Sequence, residues 1–170
     1  SAHNGYFVDY TTGVATKDKK MQQQAVKDLT KKYVPDFSKF IADATGLPLD
    51  AVTSLITDHV LQTKGVVDAQ AAKDWDTAYA GIRTAYAHMQ MIGDALTTAI
   101  VAQHPDIIPG DPNTPAVDFR VALNQLLQEH LYLATFATDA ALGGRGKEAG
   151  SAIQTLGTNG TDLGAAIGSL

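Results

Sequence analysis

Displaced against itself by 71 residues, the sequence matches without a gap, and the matched positions carry helical spacing. The register pairs Ala51 with Ala122, Leu55 with Leu126, His59 with His130, Asp68 with Asp139 and Ala69 with Ala140. It continues through Ala78 with Ala149, Ile82 with Ile153, Thr84 with Thr155, Gly93 with Gly164 and Ala95 with Ala166. Conservative pairs lie between them: Val52 with Leu123, Ile56 with Leu127, Asp58 with Glu129, Ile92 with Leu163 and Leu96 with Ile167. A unit of two helices that is apolar on one face cannot bury that face alone, so each copy is expected to bury its face against the other. The predicted fold is all-α: a four-helix bundle made of two repeated antiparallel helical hairpins, with an extra N-terminal helical segment.

Proline and glycine place the boundaries. Residues 1–15 show no helical period, with a brief strand-like alternation from Tyr6 to Tyr10, and are expected to wrap loosely. Met21, Ala25 and Leu29 predict a helix from about Lys17 to Tyr33, which Pro35 must interrupt or restart because it lacks an amide hydrogen. Phe37, Phe40, Ile41 and Ala44 form another helical stripe, ended by Gly46. These make 1–46 an N-terminal extension. The first hairpin spans 47–104, with a helix after Pro48 carrying Val52, Leu55, Ile56, His59 and Val60, and a longer one from about Ala72 to Gln103. Residues 105–115 are a Pro-rich linker. The second hairpin spans 116–170: a helix to Leu142 with Leu123, Leu126, Leu127, His130, Leu133 and Ala137 facing inward, a turn at 143–146, and a helix from Lys147 to Ile167.

Composition narrows the function. The net charge of −5 argues against a nucleic-acid partner, although lysines gather early at Lys17, Lys19, Lys20, Lys27, Lys31 and Lys32, as on a solvated helix face. With no cysteine, thiolate catalysis and disulfide scaffolding are excluded. The lack of cysteine and the Ser1 start predict an extracytoplasmic or secreted bacterial protein whose leader has been removed. No apolar run approaches the roughly 18 residues of a membrane span.

The strings LITDHVLQTK (Leu55 to Lys64) and LLQEHLYLAT (Leu126 to Thr135) set leucines before an acid-His pair. The second helix of each copy reads HMQMIGDAL (His88 to Leu96) and NGTDLGAAI (Asn159 to Ile167). The pattern resembles that of uncharacterised, often secreted bacterial helical-hairpin repeat proteins, in which an acid-His helix is followed by one with an asparagine and an Asp-Ile-Gly-like run. The resemblance covers about 50 residues of each copy and implies a helical-hairpin module, with no activity transferred. The sequence departs from the pattern where His88 replaces the asparagine. The pattern's arginine is Lys64 in the first copy and is missing from the second.

Four equivalent positions, His59, His88, His130 and Asn159, fall on the apolar stripes or at a helix seam. One reading is a hydrogen-bonded polar layer that fixes helix register, His59 with His88 and His130 with Asn159, in a non-catalytic structural or protein-interaction module. The other is an interior site for a transition metal, copper or zinc, or for haem, since neutral imidazoles ligate these and bundles present ligands from facing helices. Met91, one turn from His88, would add a thioether ligand. Asp58 and Glu129, about 100° from the histidines, read as outer acceptors or surface groups. The first copy offers two imidazoles and the second only one, so a site is expected at the His59–His88 hairpin. Ser1-Ala2-His3 would chelate Cu(II) or Ni(II) through a free amine. No Glu-x-x-His pair supports a diiron centre, and Ser54 and Ser151 lack a neighbouring base, so no catalytic residue is assigned.

Overall fold

The computed structural model describes residues 2–169, and every regular element among them is helical, as the sequence predicts. The chain divides into two compact units, 1–72 and 73–170. The helices read from the sequence as one bundle are divided between these units.

The first unit holds α1 (Ala2–Ala15), α2 (Lys19–Asp28), a π turn (Leu29–Tyr33), α3 (Val34–Thr45) and α4 (Leu49–Ala72). The loose N-terminal wrap expected from the sequence is instead a regular helix. Among the residues of α1 whose burial is described, only Tyr10 and Gly13 are buried, so a narrow edge suffices and no apolar period is written into it. α1 and α2 fold back on each other through Lys17, whose φ of 60° makes the reversal, and Asp18 caps α2 by accepting the Met21 amide hydrogen at 3.0 Å. Gly13 sits where the hairpin is tightest: its carbonyl accepts hydrogen bonds from the Asp18 amide and the Gln22 side chain, both at 2.8 Å. Pro35 does not stop the helix. The backbone stays helical from Lys19 to Thr45, and the π turn just before the proline widens the ladder where a normal turn would meet its ring. Gly46, with φ 71°, ends α3 as expected.

A hydrogen-bonded trio joins α1 to α4. Buried Tyr10 donates to Asp68 Oδ1 at 2.5 Å, and Lys64 Nζ donates to Asp68 Oδ2 at 2.6 Å while standing 5.1 Å over the Tyr10 ring. Partial burial pushes the Asp68 carboxyl up, but the hydrogen bonds from Lys64 and Tyr10, together with the Lys64 charge, outweigh it and hold its pKa below the ordinary value.

The second unit holds α5 (Trp75–Gln103), α6 (Pro115–Leu142) and α7 (Gly146–Gly168). Asp74 caps α5 through the Thr77 amide, and Thr114 caps α6 through the Val117 amide with Pro115 in the first turn. α6 and α7 pack along one another and α5 packs chiefly on α7. Tyr79, Leu133, Ala137 and Ala152 form the centre, with Trp75, Ile82 and Leu156 against it. Leu133 and Ala137 face inward as predicted, whereas Leu127 is exposed. No described helix is long and apolar enough to cross a membrane.

Two predictions test this packing. A Cβ at Gly13 would stand 3.0 Å from the Gln22 amide nitrogen, whereas one at Gly157 would meet nothing within 4 Å. Gly157→Ala is expected to stabilise by up to about 1 kcal/mol through helix propensity, raising the thermal midpoint by roughly 2–4 °C. Gly13→Leu is expected to lower it, and circular dichroism melts showing both changes in one direction would refute the account. Because its folded pKa is depressed, Asp68 contributes stability that is full above its unfolded value near pH ~3.9 and is lost as pH falls through the folded value. Asp68→Asn should therefore lower the thermal midpoint at neutral pH and flatten its acid limb; an unchanged acid limb contradicts the assignment.

Candidate functional site

The polar residues of the second unit meet around Arg83 on α5. Its Nε donates to Glu129 Oε1 at 2.9 Å and its Nη2 to Glu129 Oε2 at 3.1 Å, a two-point grip on a carboxylate of α6. The same Nη2 donates to Asp162 Oδ2 on α7 at 2.7 Å. Glu129 is only 5% exposed, and a carboxylate so placed requires a charge partner. That partner is the guanidinium, whose pKa its hydrogen bond to Glu129 raises further, keeping it permanently cationic.

Asn159 of α7 extends the network. Its side chain is fully buried; Nδ2 donates to Glu129 Oε2 at 2.7 Å and to the Leu126 carbonyl at 3.0 Å, and Oδ1 lies 2.9 Å from His130 Nδ1. The two acceptors at Nδ2 fix the amide orientation. Oδ1 then faces the imidazole as an acceptor, so Nδ1 carries a ring hydrogen and donates it. Arg83, Glu129, Asn159, His130 and Asp162 thus form one connected set drawn from three helices.

The sequence expectations divide on these residues. His130 pairs with Asn159, as the repeat suggests, but His130 is exposed while the acid before it is buried. The core stripe admits either position: both 129 and 130 lie within one turn of Leu126 and of Leu133. The sequence places the imidazole on that stripe because His130 follows Leu126 by four residues and Leu127 by three. Arg83, 46 residues away, reverses that choice. The first copy behaves differently: in α4, Asp58 is exposed and His59 half-buried, with Ile56 and Val60 inside. His88 is buried on α5, while Met91 is 57% exposed, so the two do not share an interior face. His59 belongs to the first unit and His88, Met91, His130 and Asn159 to the second. Among the described residues no group of three or more His, Asp or Glu side chains is arranged to hold a metal ion. The Ser1-Ala2-His3 reading rests on Ser1, which lies outside the described residues.

Arg83 and Asp162 were not anticipated, although a signal for Asp162 existed. The acid-His pair and the asparagine with its following aspartate, which carry the sequence pattern, are Glu129, His130, Asn159 and Asp162 here, and all four belong to the Arg83 network. No protein-family model, no curated protein and no solved structure matches this chain.

The network yields a double-mutant test. Arg83→Met leaves a buried carboxylate without its cation and is expected to destabilise by about 3 kcal/mol. Pairing it with Glu129→Leu, which removes the stranded charge, should restore much of the loss. Denaturant unfolding of the two single variants and the double variant reads the coupling; strictly additive losses would contradict the assigned pairing.

Proposed function

We propose that this protein is a non-catalytic structural or protein-interaction module whose α5–α7 unit is locked in register by the Arg83–Glu129–Asn159–His130 network. The observation that carries this reading is Asn159. Fully buried, it spends both of its amide hydrogens and its carbonyl on groups of the same unit. Glu129 likewise has its charge answered internally. A binding or catalytic centre keeps reactive atoms available to a ligand, whereas this cluster uses its polar atoms to hold three helices at one height.

The competing reading, an interior histidine centre for zinc, copper or haem, makes a different forecast. Protein purified without a histidine tag and incubated with each in turn should stay colourless, retain no stoichiometric metal after gel filtration and melt at an unchanged temperature. A ligand present at about 100 times its dissociation constant would add roughly 2.7 kcal/mol to the folded state. A midpoint raised by that ligand, and lost in His130→Ala or His88→Ala, would overturn the structural reading.

A further inference from the structure

One groove of the first unit is lined by lysines and by no acid. It is an open groove of about 510 Å³ lined by Lys19, Lys27 and Lys31, by Lys64 of α4 and by Tyr10 of α1. The sequence reads its early lysines as a solvated charge run, but three of them line this groove together with a fourth from α4. Lys27 and Lys31 stand four residues apart, where like charges on a helix repel, and neither they nor Lys19 form a salt bridge among the described residues. A chain with a net charge of −5 thus concentrates positive charge in one concave place.

Three of the neutral polar groups lining the groove, Gln22, Thr30 and Tyr10, are already engaged, and Gln23 lines it beside them. Gln22 donates to the Gly13 carbonyl at 2.8 Å, Thr30 to the Val26 carbonyl at 2.8 Å, and Tyr10 to Asp68. Of the charges facing it, Lys64 is neutralised by Asp68, which also fixes its position, while Lys19 makes only a long 3.4 Å contact to Gln22. Recognition here therefore rests on ammonium groups acting as point charges. With a rise of about 1.5 Å per residue, Lys19 and Lys31 are spread over roughly 18 Å, so a single small anion would meet only part of the set. Ammonium groups lack the planar fork that suits one carboxylate and serve instead as separate positive contacts for a string of anionic oxygens.

We propose that this groove binds an oligophosphate, an anion carrying two or more phosphate groups in series, whether free or displayed on a lipid headgroup. Lys27 and Lys31 are the principal contacts, and Lys64, held by Asp68 over the Tyr10 ring, lines the same groove.

The test is calorimetric titration of the full chain with sodium tripolyphosphate at low ionic strength, beside orthophosphate. Tripolyphosphate should bind saturably and orthophosphate about tenfold more weakly or worse. Lys27→Gln with Lys31→Gln should weaken tripolyphosphate binding at least about tenfold, while Lys27→Arg with Lys31→Arg, which keeps both charges, should bind it. Lys20→Gln with Lys39→Gln, outside the groove, should change little. All four lysines are exposed, and unchanged circular dichroism spectra establish that the variants are folded. Sedimentation with vesicles containing a polyphosphorylated inositol lipid, against phosphatidylserine vesicles of equal charge, separates the two sources: capture by the former alone assigns a headgroup, and binding of soluble tripolyphosphate without capture assigns a free ligand. Absence of saturable tripolyphosphate binding, equal loss in the Lys20/Lys39 variant, or equal capture by both vesicles would overturn the proposal.

Discussion

A glutamate facing the interior is the constraint around which the second unit is organised. Half of the other buried side chains described there are alanine: Ala78, Ala137, Ala140, Ala149 and Ala152. Such small residues let helices approach closely, but they present few ridges by which one register could be told from its neighbour. Glu129 supplies the missing specificity. A buried carboxylate is tolerable only where Arg83 reaches it with two hydrogen bonds, and Arg83 also grips Asp162 on the third helix. Sliding α5 against α6 by a turn would part Arg83 from Glu129 and leave a buried carboxylate without its cation. Outside the centre, the Ser151 hydroxyl bonds Asp76 at 2.6 Å and Tyr86 bonds Gln128 at 2.8 Å, two further ties consistent with the same register.

The internal repeat makes the asymmetry of this arrangement instructive. At the 71-residue offset, Asp162 corresponds to Met91, Asn159 to His88 and Arg83 to Gln154. In the first segment Asp58 stands where the second has Glu129, but Met91 replaces Asp162 and an imidazole, His88, replaces the two-faced amide. An amide donates and accepts at once, which is what links Glu129 to His130; a neutral imidazole at that position offers one of each on opposite edges of a ring. At this offset the helical period matches while these polar residues differ. The connected network therefore joins Arg83, from the first of the two matched segments, to Glu129, His130, Asn159 and Asp162 of the second.

The first unit is held by different means. Its α1–α2 hairpin closes through Gly13, and a Tyr10–Asp68–Lys64 trio ties the first helix to the fourth. The π turn ahead of Pro35 lets a single helical path run from Lys19 to Thr45, keeping the lysines on one continuous support. An oligophosphate site there and a structural network in the second unit are compatible, because they share no residue.

Helix content, most helix ends and the apolar stripes of α4 to α7 were legible in the sequence, because periodicity, proline, glycine and chain reversal act within a few residues. The start of α6 at Pro115 and its end at Leu142 lie within a residue of expectation. The N-terminal helix was not legible, since a helix that buries only Tyr10 and Gly13 among its described residues needs no amphipathic stripe. The candidate site was half legible: His130 and Asn159 were named from the repeat, while Glu129 was set aside as an outer group and Arg83 went unnoticed. The sequence by itself determined which segments are helices and which faces are apolar. Only the tertiary structure decided that position 129 rather than 130 turns inward, because the energy of a buried carboxylate depends on a cation brought beside it from 46 residues away.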